Sequence, residues 1–259
     1  MGSDPIFPIG VFDSGVGGLS ILRALRAELP SEHFVYLADS GFAPYGERDN
    51  SFVVERARAV AQRLLDDHAI KALVIACNTA TAAAVHLLRA QLPGLPIVGV
   101  EPALKPALAL TRTGRIGVMA TRGTLASAKF AALHDGVQHQ AQFLLQACDG
   151  LADAIEAYDT DRIAELCARY TGALGRFGAE AGAIDTLVLG CTHYPFARQQ
   201  LQALVGEAVR MVETGEPVAR QTRRLLEAAA LLLPTGAGSV SLHSTGDLQA
   251  LTRFASRWL

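Results

Sequence analysis

The feature that most constrains the fold is a regular alternation of short apolar runs with longer helix-forming stretches. PIGVFD (8–13) leads into LSILRALRAEL (19–29), and ALVIAC (72–77) leads into TATAAAVHLLRAQL (79–92). Short β-branched runs are typical of buried strands, and the periodic stretches after them are typical of helices that cover a sheet. The repetition continues to the end of the chain, which predicts an α/β fold of mostly parallel sheets with helices on both faces.

The same alternation restarts after a proline-rich joint between residues 93 and 106. A second series of strand-like and helix-like segments follows from RIGVMAT (115–121) onward. We therefore predict two α/β domains of similar design rather than one large sheet.

Composition narrows the function classes. Half of the 259 residues are hydrophobic, and 23 basic residues face 25 acidic ones, for a net charge of −2. This balance predicts neither a nucleic-acid groove nor a polybasic membrane patch. The first basic residue is Arg23, and the longest apolar run, near 228–234, is too short to cross a bilayer. These features predict a soluble, cytoplasmic protein.

Cysteine stands at positions 77, 148, 167 and 191. The gaps between them fit neither a zinc site nor a redox CxxC pair, and a reducing compartment disfavours a structural disulfide. Cys167 lies at helical spacing among apolar residues, which is typical of core packing. Cys148 is followed by Asp149 and Gly150, which offer no catalytic partner.

The other two cysteines occur in matching contexts. ALVIACNTAT (72–81) and TLVLGCTHYP (186–195) each end an apolar strand in a cysteine that hydrogen-bonding residues follow. His193, two positions after Cys191, is able to pair with the thiol and promote thiolate formation. Two alternatives remain open here, since free cysteine is often a small buried hydrophobe and His193 is equally compatible with a structural role.

Polar residues recur where the predicted strands end. They are Asp13, Ser14, Asp39, Ser40, Cys77, Asn78, Thr79, Glu101, Thr121, Cys191, Thr192, His193 and Thr214. Ligands of open parallel sheets bind at the carboxyl ends of the strands, so both sheets are expected to point this edge at a shared cleft.

Two glycine-containing loops belong to the same edge. DSGVGGLS (13–20) matches neither a dinucleotide fingerprint nor a P-loop, and it favours a small-anion site at a helix N-terminus over a simple tight turn. APYGER (43–48) is compatible with an ordinary turn, and beside a cleft it predicts a lid or a pocket wall.

Two matched thiols suit one kind of reaction particularly well. A thiol protease needs one cysteine with one histidine and leaves the second cysteine site unexplained. Inversion of a stereocentre by proton transfer needs one group to remove a proton from one face and another to deliver a proton to the opposite face. Each thiol then serves as the base in one direction and the acid in the other, so the two are expected to be chemically alike.

The chain resembles the cofactor-independent glutamate racemases of the aspartate/glutamate racemase superfamily. The motifs that carry the resemblance run nearly the whole chain. They are FDSGVGGLS (12–20), APYGER (43–48), ACNTAT (76–81), VGVEPALKPA (98–107), GVMATRGT (117–124), LVLGCTHYP (187–195) and, more weakly, VETG (212–215) and STGD (244–247).

The resemblance implies that Cys77 and Cys191 are the two catalytic acid/bases, assisted by Asp13 and His193 respectively. It implies contacts to the substrate from a wider set of residues. They are Asp13, Ser14, Tyr45, Gly46, Asn78, Thr79, Thr121, Thr192 and His193. Glu156, in CDGLADAIE, matches the acidic residue of the family in a stretch that lacks the prolines of many members, and Glu213 replaces the usual aspartate of VETG.

The resemblance further implies two similar domains related by a pseudo-two-fold axis, with the active site in the cleft between them. The first would comprise residues 1–100 and 210–259, and the second residues 101–209. The implied reaction converts L-glutamate to D-glutamate for peptidoglycan synthesis with neither pyridoxal phosphate nor a metal, and the implied assembly is a homodimer.

Three alternatives stay open from the sequence. The two-cysteine pattern also fits aspartate racemase or another racemase, and a decarboxylase on this scaffold can manage with one thiol. A two-lobed binding protein would explain the polar strand ends but not the paired thiols. A metal or redox protein is disfavoured by the cysteine spacing.

Overall fold

The computed structural model describes residues 7–259, which form two compact units. The first unit comprises residues up to Val100 together with Gly215–Leu259, and the second unit comprises Glu101–Thr214. Residues 1–6 of the predicted first domain lie outside the described part of the chain.

The first unit begins with strands and helices that alternate strictly. They are β1 (Ile9–Asp13), α1 (Leu19–Glu28), β2 (Phe34–Ala38), α2 (Asn50–His68), β3 (Ala72–Ile75), α3 (Asn78–Gln91) and β4 (Ile97–Gly99). Strands β1, β2 and β3 are buried along their whole length, as expected of a parallel sheet covered on both faces.

The second unit repeats the pattern with additional short helices. Its elements are α4 (Leu104–Leu110), β5 (Arg115–Ala120), α5 (Arg122–Leu125), α6 (Ala128–Asp135), β6 (Gln142–Ala147), α7 (Leu151–Glu156), α8 (Thr160–Leu174), β7 (Thr186–Gly190), α9 (Arg198–Val205) and β8 (Arg210–Val212). The chain then returns to the first unit through α10 (Gly215–Ala228), β9 (Val240–Ser244) and α11 (Leu248–Trp258).

Both sheets are parallel throughout. The first has the strand order β4-β3-β1-β2-β9, and the second has the order β6-β5-β7-β8. The predicted α/β class with two parallel sheets and flanking helices is therefore confirmed. No helix among residues 7–259 combines the length and the hydropathy that a bilayer crossing requires.

The predicted boundary at residue 210 is wrong by five positions. Residues 210–212 form β8, which pairs in parallel with β7 and so completes the second sheet. The chain crosses back only at Gly215, after which β9 pairs with β2 and α10 packs on α1. An edge strand of three residues carries too little pattern to reveal which sheet it joins.

Buried polar side chains bind connecting segments at the amino-terminal edges of the two sheets. In the first unit, Lys71 forms an ion pair with Glu32 at 2.6 Å and donates to the carbonyl of Leu231 at 2.7 Å. In the second, Asp185 accepts hydrogen bonds from the Thr111 hydroxyl at 2.6 Å and from the backbone N–H groups of Arg112 and Thr113 at 2.6 and 2.9 Å. These contacts tie connecting segments to the strands.

We predict that Asp185→Asn destabilises the protein by about 1–3 kcal/mol, because an amide cannot accept all of these hydrogen bonds. Burial raises the pKa of Asp185, but the bonds from Thr111, Arg112 and Thr113 outweigh it and hold that pKa below its usual value. The lowered pKa means that the stabilisation is full above about pH 4 and is lost as the pH falls through the folded-state pKa.

Urea unfolding of wild type and variant at a series of pH values tests this prediction. The exposed Glu180, which pairs with Arg176, supplies the control Glu180→Gln, expected to change the free energy of unfolding little. An Asp185→Asn difference that persists undiminished at acid pH would contradict the assignment.

Candidate active site

The predicted site residues fall into two groups, one at the carboxyl edge of each sheet. The first unit holds Asp13, Ser14, Tyr45, Gly46, Cys77, Asn78 and Thr79. The second unit holds Thr121, Glu156, Cys191, Thr192 and His193. Parallel pairing within each sheet brings these strand ends to one edge, as the sequence pattern predicts.

Cys77 lies at the N-terminus of α3, directly after strand β3. Its Sγ accepts a hydrogen bond from the Ala80 backbone N–H at 3.4 Å, and the residue is only 6% exposed. The Ser14 Oγ lies 3.6 Å from the same sulfur. The dipole of a 14-residue helix favours a negative charge at this position, which suits a thiolate.

Asp13 is completely buried at the end of β1, the strand that pairs with β3. Its Oδ1 accepts from the Gly15 backbone N–H at 2.8 Å. A Cβ atom at Gly18 would come within 2.6 Å of the Asp13 Cβ and 2.9 Å of the Tyr36 hydroxyl. Gly18 is therefore required by close packing of the turn against Asp13, which adds a steric reason for the glycine-rich motif.

Asn78 is the most informative residue of the first group. It is 4% exposed, and neither its Nδ2 nor its Oδ1 hydrogen-bonds to any group within residues 7–259. A buried polar group without a partner costs about 1–3 kcal/mol, so native proteins rarely retain one without a reason. An amide that offers both a donor and acceptor next to Cys77 is suited to a polar ligand. Thr79, also buried, follows it.

The hydroxyl of Tyr45 is hydrogen-bonded within the first unit. Its hydroxyl donates to Asp39 Oδ2 at 2.5 Å, and the same carboxylate accepts two bonds from Arg56 at 2.9 Å each. Burial, followed by the hydrogen bond to Asp39, raises the pKa of Tyr45 far above its usual value. The hydroxyl is thus committed to Asp39. Arg56, in the middle of α2, has no signal in the sequence that marks it as part of the site.

The second group is organised around Cys191, which follows β7 and is 6% exposed. The His193 Nδ1 lies 3.7 Å from its Sγ, and the His193 Nε2 lies 2.7 Å from Glu156 Oε1. Glu156, the last residue of α7, is thus brought to the histidine as the second partner of its ring. The His193 imidazole thus lies between the Cys191 thiol and the Glu156 carboxylate, an arrangement in which the imidazole can exchange a proton with the thiol and the carboxylate can balance its charge.

The contacts of His193 change its acidity. Burial alone lowers the pKa of His193, but the hydrogen bonds and charges of Cys191 and Glu156 outweigh burial and raise that pKa well above its usual value. An imidazole that holds its proton places a positive charge next to the Cys191 sulfur.

Two threonines complete the second group. Thr121 follows Ala120 of β5, which pairs with Gly190 of β7, so Thr121 and Cys191 stand at neighbouring strand ends. The Thr121 hydroxyl accepts from the Thr124 N–H at 3.2 Å and caps α5. Thr192 is buried directly after Cys191.

The remaining cysteines are also buried, and neither forms a disulfide. Burial raises the pKa of the Cys167 thiol to about 11, and burial is also the main cause that raises the pKa of Cys148. Cys148 follows β6 in the sheet that also contains β7. Among residues 7–259, no group of three or more His, Cys, Asp or Glu side chains is arranged to hold a metal ion.

The family model described as Asp/Glu/Hydantoin racemase matches residues 19–222 of the chain. The chain therefore belongs to the Asp/Glu/hydantoin racemase family and is an amino-acid racemase, an isomerase.

Individual relatives indicate which kind of racemase in this family the chain is most similar to. The chain is 49% identical to the glutamate racemase of Ectopseudomonas mendocina (strain ymp) over 246 residues, which cover 94% of this chain and 91% of the relative. Glutamate racemase isoform RacE1 from Bacillus anthracis superposes with a TM-score of 0.85 at 32% identity, covering 97% of this chain and 93% of that one. The Escherichia coli glutamate racemase in complex with L-glutamate and the activator UDP-MurNAc-Ala gives 0.82 at 30% identity, with coverages of 97% and 95%. Within the family, the chain groups with the glutamate racemases.

We predict that Glu156→Gln lowers the pKa of His193, because the variant loses the carboxylate that stabilises the imidazolium. The measurement is an NMR titration of the His193 ring nitrogens in wild type and variant. Glu165→Gln, which removes an exposed carboxylate paired with Arg162, is the matched control and is expected to leave the titration unchanged. An unaltered His193 titration in Glu156→Gln would rule out the coupling.

Proposed function

We propose that the protein interconverts L- and D-glutamate by acid/base catalysis with two thiols, Cys77 and Cys191, without a cofactor. The observation that carries the proposal is that Cys77 in the first unit and Cys191 in the second are each buried at the carboxyl edge of their sheet beside a potential activating group. Because the equilibrium between enantiomers is balanced, each thiol must act as the base in one direction and as the acid in the other.

In the first unit, Cys77 is the acid/base, and its surroundings support the thiolate. Free cysteine has a pKa of about 8.5, so only a few per cent is thiolate at neutral pH. The N-terminus of α3 and the Ala80 N–H stabilise negative charge on its sulfur. Ser14 lies within reach of the sulfur to relay or hold a proton, and Asp13 assists as the buried carboxylate next to it.

In the second unit, Cys191 is the acid/base and His193 is its proton partner. As base, the thiolate form of Cys191 is balanced by protonated His193, and Glu156 in turn stabilises the imidazolium. As acid, Cys191 delivers its proton to the opposite face of the α-carbon. Each correctly placed acid/base contributes about 10²–10⁴-fold to the rate.

The α-proton of an amino acid is weakly acidic, so the developing carbanion needs electrostatic stabilisation. We assign the polar residues next to the two thiols to the α-amino and carboxylate groups of glutamate. They are Asn78 and Thr79 in the first unit, and Thr121 and Thr192 in the second. The Tyr45–Gly46 segment adds a wall beside Cys77. The unpartnered amide of Asn78 is the strongest support among these assignments.

The biological setting forms part of the same proposal. D-glutamate serves peptidoglycan synthesis, which places the enzyme in the cytoplasm, where the precursors are made. A homodimer is the assembly proposed for it.

A direct assay separates this proposal from its rivals. Circular dichroism of L-glutamate in D₂O, with metal-stripped protein and no added cofactor, is expected to decay to zero while deuterium enters Cα. L-aspartate, run alongside, is expected to react far more slowly. Reaction of aspartate alone would make the protein an aspartate racemase, and binding without any exchange would support a binding protein instead.

We predict that Cys77→Ser and Cys191→Ser each reduce racemisation by about 10²-fold or more, since each removes one acid/base. Cys167→Ala is the matched control, because that thiol is packed among apolar residues of α8. It is expected to retain turnover even if it lowers the melting temperature. Either serine variant with wild-type kcat would remove its cysteine from the mechanism.

We predict that Asn78→Ala raises the KM for glutamate at least tenfold while leaving the free energy of unfolding unchanged or slightly higher. The reason is that the side chain loses contacts to the substrate but no hydrogen bond within the described protein. Steady-state kinetics and urea unfolding on the same preparation measure both quantities. A large loss of stability with unaltered KM would make Asn78 a structural residue.

A further inference from the structure

Asp39 carries a fully buried carboxylate, for which the sequence predicts no hydrogen-bonding or charged partner. It follows β2 and accepts three hydrogen bonds, one from the Tyr45 hydroxyl and two from the guanidinium of Arg56. The two-bond Arg56 contact fixes the plane of the carboxylate as well as its charge. The Tyr45 hydroxyl donates to Oδ2, the same oxygen that accepts from the Arg56 Nε.

The backbone of Asp39 joins this carboxylate to the catalytic edge of the sheet. Its N–H donates to the carbonyl of Asp13 at 2.9 Å, and its carbonyl accepts from the Phe42 N–H at 2.9 Å. The Arg56 guanidinium in turn lies 3.5 Å from the ring centroid of Phe42. The segment that leads from β2 to Tyr45 is therefore fastened both to the end of β1 and to helix α2.

The ring of Tyr45 lies in the apolar cluster that contains Cys77. It makes edge contacts with Phe12 and Phe52, each with ring centroids 6.2 Å apart. Since the hydroxyl is held by Asp39, it is the ring and the following Gly46 backbone that remain for the site.

Stability alone gives a poor account of this network. A buried ion pair is often no more stabilising than apolar residues of similar volume, because the cost of desolvating two charges offsets their attraction. What a bidentate arginine and a short tyrosine hydrogen bond do supply is a fixed geometry for the segment between them.

We infer that Asp39 and Arg56 are positioning residues for glutamate binding, which hold the Tyr45–Gly46 segment against Cys77. This inference rests on the proposed racemase function. It assigns Asp39 and Arg56 no contact with the substrate, and it places their effect in substrate affinity rather than in proton transfer.

The test is a double-mutant cycle with Asp39→Asn and Tyr45→Phe, followed by steady-state racemisation of L-glutamate. Asp39→Asn is expected to raise KM about tenfold or more and to change kcat less than threefold, the pattern of lost binding common to ground and transition states. Tyr45→Phe is expected to raise KM by a smaller factor. The double variant is expected to be no worse than Asp39→Asn, because residues that act through one contact are not additive.

Arg56 gives a second arm. Arg56→Met is expected to raise the KM for glutamate. Arg56→Lys keeps the charge and is expected to raise KM less, although a single ammonium cannot reproduce both hydrogen bonds to Asp39. Arg63→Met is the matched control on the same helix, because Arg63 pairs only with Asp67 on the exposed face of α2 among the contacts described. Its KM and kcat are expected to equal those of wild type.

The outcomes separate this inference from the proposed function. If wild type does not racemise glutamate, the proposed function fails. If wild type is active and folded Asp39→Asn has wild-type KM, or if all variants lower only the melting temperature, the positioning role is overturned. Fully additive losses in the double variant would also overturn it, since Asp39 would then act independently of Tyr45.

Discussion

The pairing of strand β1 on both sides is the constraint on which the first unit depends. β1 is fully buried and pairs in parallel with β2 and β3, and two backbone bonds extend these ladders beyond the strands, from Asp39 to Asp13 and from Ala76 to Phe12. This register places Asp13, Asp39 and Cys77 at one edge. A slip of one residue would turn each of these side chains to the other face of the sheet.

The two thiols occupy similar places but differ in how charge on them is balanced. Cys77 relies on the N-terminus of a long helix and a serine hydroxyl, whereas Cys191 relies on a histidine and a glutamate. Matched chemistry therefore does not require matched surroundings. A neutral dipole and a titratable imidazole can do the same work, but only the second brings its own proton equilibrium into the site.

The sequence predicts the sheets and the strand-end positions of both cysteines well, because a buried strand followed by a helix leaves a clear periodic signal. It fails where partners are distant along the chain. Nothing in the helical pattern of α2 distinguishes Arg56 from the other arginines of that helix, so its pairing with Asp39 emerges only from tertiary packing. The hydrogen bond from the Tyr45 hydroxyl to Asp39 cannot be predicted from the sequence for the same reason. Glu156 is predicted as a site residue only by the family resemblance, and its contact with His193 is seen only in the folded structure.

The return of the chain to the first unit has a consequence for synthesis on the ribosome. All four strands of the second sheet lie between residues 115 and 212, so that sheet can be completed as soon as this stretch has emerged. The first sheet must wait for β9, and α1 must wait for α10, although their partners are made first. The nascent first unit thus exposes an unfinished edge at β2 until residues 240–244 appear, while all strands of the later-made unit are already available to pair.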